Sequence, residues 1–241
     1  GIASMNEGDA VFQLDDQLQV VKISQYFNEG RRVNLRALQQ RADGVIGVAM
    51  STGTAADSDL GFLSIDSNGH PISVVSVNAS AGDEASCIVN TLDGGFFVGG
   101  FTGEYAPDSA IQGAFIPADH AFGLRVDPMG NLVWAKTYNT KRWNWKNSRE
   151  IPTAVTAEPA GDLSMGGGLF MSDHWGFMRL QLNSDGNMPG SSVKIENIAN
   201  ANKFSVKVRE VTDISAKSGT KVTSESKPSV TSAILLNVDR I

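Results

Sequence analysis

Cysteine is almost missing. Cys87 is the single one, which excludes a disulfide within the chain. It sits in the apolar run Cys87-Ile88-Val89 and reads as a small buried hydrophobe rather than a reactive thiol. Aromatic residues make up only 7% of the chain, and histidine occurs three times. No run of about 18 apolar residues occurs, so no helical membrane span is expected. A basic excess is also absent, since the formal net charge is −6. Nucleic acid is therefore not an expected partner.

What is abundant is glycine, at 25 of 241 residues. That length buries a core as one large all-β domain or as two small ones. High glycine and few aromatics suit many short strands joined by tight turns.

The best-formed stretch is residues 83–139. It reads D-E-A-S-C-I-V-N-T-L-D-G-G-F-F-V-G-G-F-T, then a loop, then H-A-F-G-L-R-V-D-P-M-G-N-L-V-W-A-K-T-Y-N. Weaker copies lie on both sides. Apolar strands end in Asp or Asn at Asp16, Asp66, Asp127, Asn183 and Asp239, at intervals of 50, 61, 56 and 56 residues. Gly69, Gly130 and Gly186 follow the inner three, as the positive φ of a hairpin turn requires. A second marker opens a Gly-rich strand at Asp43-Gly44, Asp93-Gly94 and Gly161-Asp162. Its small residues let neighbouring sheets approach closely.

The unit is thus strand, turn, Gly-rich strand, loop, strand ending in Asp, tight turn, outer strand. Four strands in 50 to 61 residues fit a propeller blade. The expected fold is all-β and propeller-like, with four short blades or, as the alternative, five. Residues 1–8 read as a flexible leader and residues 9–27 as a half blade. Full copies are expected at 34–78, 83–139 and 149–200.

Asp93-Gly94-Gly95, Phe97-Val98, Gly100, Thr102, Asp127, Gly130-Asn131-Leu132, Trp134 and Lys136-Thr137-Tyr138 carry a resemblance. The pattern resembles a family of bacterial secreted β-propeller repeat proteins. The third copy ends in Asn187-Met188-Pro189-Gly190, which is similar to how such arrays end before a Ser/Thr/Val-rich tail. The resemblance spans about residues 9–190. It implies a secreted or cell-surface setting more than any activity.

Beyond residue 200 the chain is rich in Ser, Thr, Val and Lys. Residues 203–212 alternate cleanly, as an edge strand does, and 230–238 are apolar enough to be buried. The N- and C-terminal strands are expected to share the closing blade, because an open ring leaves an unpaired edge. Residues 201–241 could instead contact a neighbouring subunit by adding a strand to its edge.

Five residues stand out for ligand contact. Trp143 and Trp145 share a face if extended, Arg142 and Lys146 flank them, and Tyr105 lies in the long insert 103–119. Aromatics beside cations suit a glycan or a protein partner; the competing reading packs both Trp residues between blades. Asn183, Asp185 and Asn187 offer oxygens at alternate positions, as calcium prefers; the competing reading is a turn capped by its own side chain. No other cofactor is expected. His120 and His174 precede third strands, and His70 lies at the other end of its strand. No Ser sits in a nucleophile-elbow context. The expected function is a non-catalytic secreted or cell-surface binding or structural module: an adhesin, scaffold or appendage subunit. The alternative is a carbohydrate-active propeller enzyme using Asp119 and Asp173 as its carboxylate pair.

Overall fold

The structure is a computed structural model. It describes residues 1–5, 8–28, 30–53, 57–80, 82–107, 115–139, 148–171, 174–191, 193–198, 201–202, 204 and 206–210, with the backbone alone at 5, 104–107, 115–119, 148–149, 170–171, 174–175 and 201–202. All regular elements among them are strands: β1 (Ile2–Met5), β2 (Gly8–Leu14), β3 (Val20–Phe27), β4 (Arg32–Gln40), β5 (Ile46–Gly53), β6 (Ser58–Ile65), β7 (Pro71–Val77), β8 (Gly82–Asn90) and β9 (Phe96–Pro107). There follow β10 (Phe115–Val126), β11 (Leu132–Asn139), β12 (Ser148–Ala157), β13 (Leu163–Met171), β14 (His174–Leu182), β15 (Lys194–Asn197), β16 (Ala201–Asn202) and β17 (Lys207–Glu210). The fold is all-β, and no described helix is long and apolar enough to cross a membrane.

Successive strands form antiparallel meanders. The first is β4-β5-β6-β7, the second β8-β9-β10-β11, and the third β12-β13-β14. Single parallel bridges, Ser58 with Gly82 and Asp119 with Arg149, join one meander to the next. The N-terminal sheet has the order β1-β2-β3-β17. Both sheets are open, and the described residues form no closed ring.

Apolar clusters join these units in chain order. Tyr26, Val33, Val48, Met50, Leu63 and Ile65 fill the space between the N-terminal sheet and the first meander. Phe62, Val75, Phe96, Val98, Phe122 and Leu124 do so between the first and second. Phe97, Tyr138, Leu163, Met165 and Leu180 do so between the second and third. Phe96 and Phe97 are neighbours in sequence and enter different clusters, because adjacent strand residues point to opposite faces. Inner strands are therefore apolar on both faces, and small residues make room. A Cβ on Gly99 would lie 2.8 Å from Val155 Cγ1 of the next meander.

Seven tight turns lie at one end, opened by Asp15, Arg41, Asp66, Thr91, Asp127, Glu158 and Asn183. Each repeats one bonding scheme: the first residue's N–H donates to the fifth residue's carbonyl, and its own carbonyl accepts from the fourth. The first strand of each meander carries a bulge, at Leu35/Ala37, Ala85/Cys87 and Pro152/Ala154. A bulge strands a backbone N–H. Leu35 N donates to Asp9 Oδ2 at 2.7 Å and Ala85 N to Ser51 Oγ at 3.0 Å, each acceptor coming from the preceding unit. At the third bulge the residue is Pro152, which has no N–H to satisfy.

Several expectations need correction. Residues 1–8 are not a featureless leader, since Ile2–Met5 pairs with residues 8–11. The first turn is opened by Asp15, not Asp16: Asp15 Oδ1 accepts from Gln17 N and Gln19 N, both at 2.9 Å. The position glycine holds in the other six turns is Leu18, at φ 61°. The copy expected at 149–200 supplies three strands to its own meander, because the chain after the turn 183–187 leaves it. β15 pairs with β11, β16 with β7, and β17 with β3. The tail thus runs back along the outer edges of the second meander, the first meander and the N-terminal sheet in turn. It covers edges that were expected to be covered by ring closure. The N- and C-terminal strands do share one sheet through β3 and β17. The expected strand at 230–238 lies outside the described residues.

Candidate functional site

The two ends of the meanders differ. One carries the seven tight turns. The other carries the connections through residues 54–56, 108–114 and 140–147. There β9 and β10 are 12 residues each, against 8 for β5 and β6. The insert 103–119 is therefore not a plain loop. Gly103–Pro107 pairs with Phe115–Asp119, Tyr105 opposite Pro117, as a two-stranded arm. Four extra residues per strand carry it about 13 Å past the sheet at about 3.3 Å per residue.

At the base of this end lies a set of buried polar groups. Asp59 is 3% exposed and accepts from Arg31 Nη1 at 3.2 Å, Ser76 Oγ at 3.3 Å and Asn78 Nδ2 at 2.7 Å. Asp83 is fully buried and accepts from Ala79 N at 2.6 Å and Ser80 N at 3.3 Å. Burial pushes its carboxyl up to about 6, against the pull of hydrogen bonds from Thr102, Ala79 and Ser80. Glu150, also buried, accepts from Ala121 N at 3.4 Å, and Asn139 Nδ2 lies 3.2 Å from His120 Nε2. Asp83 and Glu150 occupy matching positions at the starts of β8 and β12. These carboxylates fix the connections from which the longer loops spring. Sequence reasoning missed them. Their signal is an acidic residue two positions before the bulge residue, at Asp83 before Ala85 and Glu150 before Pro152.

The calcium candidates lie at the opposite end. Asn183 Oδ1 accepts from Asp185 N at 3.1 Å and Asn187 N at 2.8 Å, so it caps its own turn. Lys136 Nζ donates to Asp185 O at 2.6 Å and Asn187 Oδ1 at 2.7 Å. Trp134 Nε1 donates to Ser184 O at 3.0 Å and Tyr138 OH to Gly186 O at 2.9 Å. Residues 134, 136 and 138 project from one face of β11, as alternate strand residues do, and all three meet the same turn. Of the side-chain oxygens read from sequence as cation ligands, Asn187 Oδ1 thus accepts from an ammonium supplied by the protein and Asn183 Oδ1 from the turn's own backbone. The same contact recurs between other units: Tyr26 OH donates to Gly69 O at 2.7 Å and Ser73 Oγ to Gly130 O at 2.8 Å.

The remaining candidates divide as follows. Trp143, Trp145, Arg142 and Lys146 lie outside the described residues, and Tyr105 is placed by its backbone alone. The chain leaves β11 at Asn139 and enters β12 at Ser148. Asp119 is placed by its backbone, and Asp173 lies outside the described residues. His70 is at the turn end, where its Nδ1 lies 3.3 Å from Asp66 Oδ2. Cys87 is buried, and burial pushes its thiol up to about 11. Among the described residues no three of His, Cys, Asp and Glu are grouped as a metal ion would require. Comparison with protein-family models and with curated proteins found no match.

Proposed function

We propose that this chain is a non-catalytic binding scaffold of a secreted or cell-surface kind. Its N-terminal sheet and three meanders serve as four blades of a propeller-like stack, and its contact face is the end bearing the long connections. One observation carries this reading: the connections are segregated by end. Seven turns of one bonding scheme close one end. The β9–β10 arm and the 140–147 segment leave from the other. Binding commonly resides in such connections on a rigid support, and the buried Asp59, Asp83 and Glu150 hold their roots.

The ligand class that suits this end is a glycan or a protein surface met by aromatic faces and cations. Trp143 and Trp145 supply the faces, Arg142 and Lys146 the charge, and Tyr105 a further ring on the arm. The test is glycan-array and surface-protein binding by wild type, by a Trp143→Ala/Trp145→Ala variant and by a control. Leu92→Ser/Met129→Ser is the control, because both residues are exposed at the turn end. The reading expects at least a tenfold loss, about 1.4 kcal/mol, in the Trp variant and none in the control. Equal binding by both variants contradicts it.

A further inference from the structure

Among the described residues, the outer edge of each unit but one receives a further strand. β6 and β10 are paired on both sides, and β3, β7 and β11 receive β17, β16 and β15. Among the described residues β14, the counterpart of β6 and β10, pairs with β13 alone. Where the other two meanders continue into a fourth strand, this one reads Met188-Pro189-Gly190 and departs. No described residue buries the aromatic on the face beside that edge. Phe177 of β14 is 77% exposed, whereas Phe62 and Ala121, on the same face of β6 and β10, are fully buried. A Cβ on Gly166 would meet only its own meander, at Phe177 and Met178; its counterpart Gly99 meets the next one. An unpaired edge beside an uncovered apolar face is a template for a further strand.

The chain also holds an apolar segment outside the described residues. Residues 230–238, V-T-S-A-I-L-L-N-V, precede Asp239 as apolar strands precede Asp66, Asp127 and Asn183. The charges are complementary: residues 201–241 carry seven Lys and Arg against four Asp and Glu, and residues 1–200 carry 13 against 22. The last described strand, β17, lies on the N-terminal sheet, at the far end of the order from β14. The chain therefore leaves the described residues at its first sheet, and the open acceptor edge is at the other end of the order.

We infer that the β14 edge accepts residues 230–238 of a second copy, so that copies join head to tail. Such a contact is heterologous: two unlike surfaces meet, and assembly continues past the dimer unless rotation closes a ring. This surface is separate from the loop-bearing end.

The test is sedimentation velocity on the full chain over a range of concentrations. Wild type is expected to associate beyond the dimer. A donor-defective variant, Ile234→Pro/Leu236→Pro, keeps β14 and is expected to be monomeric alone. Added to wild type in equal amount it terminates growth and shortens the assemblies. An acceptor-defective variant, Arg179→Pro, is expected to be monomeric alone and to form dimers only when mixed with the donor-defective one; a circular dichroism spectrum like that of wild type qualifies it for use. A Trp143→Ala/Trp145→Ala variant should assemble as wild type does, which separates this inference from the binding proposal. Wild type that stays monomeric at every concentration, as donation within one chain would give, overturns the inference. So does a donor-defective variant that still assembles or leaves wild-type assemblies unshortened.

Discussion

At the scale of single residues, Lys136 and Asp83 carry the most. Lys136 is 7% exposed, and its ammonium sits between Asp185 O and Asn187 Oδ1. Lys136→Met keeps the stem and removes the donor, leaving both acceptors short of a partner. Hydrogen bonds to charged groups contribute about 1.5–3 kcal/mol, so chemical denaturation should register a loss of that order. Because Asn183 Oδ1 and Asn187 Oδ1 are already engaged within the protein, adding calcium or a chelator should leave the wild-type Tm unchanged. Asp83 sets a pH dependence. Its carboxyl titrates near 6 in the folded chain against 3.8 when unperturbed, so between those values the folded state holds the extra proton. Stability then falls as pH rises from 4 to 6, by about 2–3 kcal/mol at about 1.36 kcal/mol per unit. Asp83→Asn should flatten that segment of the stability–pH curve. Asp66 and Asp127 act in the opposite sense at lower pH: their carboxyls lie below the ordinary value, so protonating them removes stability.

Among the elements, the turns and Gly-rich strands were legible because glycine marks them. The D-G-G and D-x-x-G spacings locate the tight turns, and only Leu18 breaks the rule. The motif W-x-K-x-Y in β11 was visible but not its purpose, since alternate residues on one face say nothing about what that face meets. The bulges were illegible. A bulge changes register without a residue of its own, and its freed N–H is answered from another unit, by Asp9 for Leu35 and by Ser51 for Ala85. Removing that answer tests the scheme. Ser51→Ala leaves Ala85 N buried without an acceptor, at a cost of about 1–3 kcal/mol. Ser164→Ala, a buried serine whose hydroxyl lies 3.5 Å from Glu158 Oε1, should cost clearly less. Equal losses in the two unfolding curves would show that the bulge contact is not special.

Across the whole molecule, the repeat period predicted units of four strands, and two meanders have them. The third falls short because the tail is spent elsewhere. Segments 194–197, 201–202 and 207–210 are each two to four residues long, too short for periodicity to reveal which edge they join. Only the order of pairing, β11 then β7 then β3, identifies the tail as a strap. Among the described residues it shields the edges of three units and leaves β14 open. The strap also couples distant parts of the sequence, tying residue 27 to residue 207. Residue-resolved amide hydrogen exchange on dilute, monomeric protein tests this most directly. The account predicts that the amides of residues 24–27 and 136–139 exchange slowly throughout, on both edges of their strands, while alternate amides of β14 exchange fast. Outward amides of β3 and β11 exchanging as fast as those of β14 would contradict it.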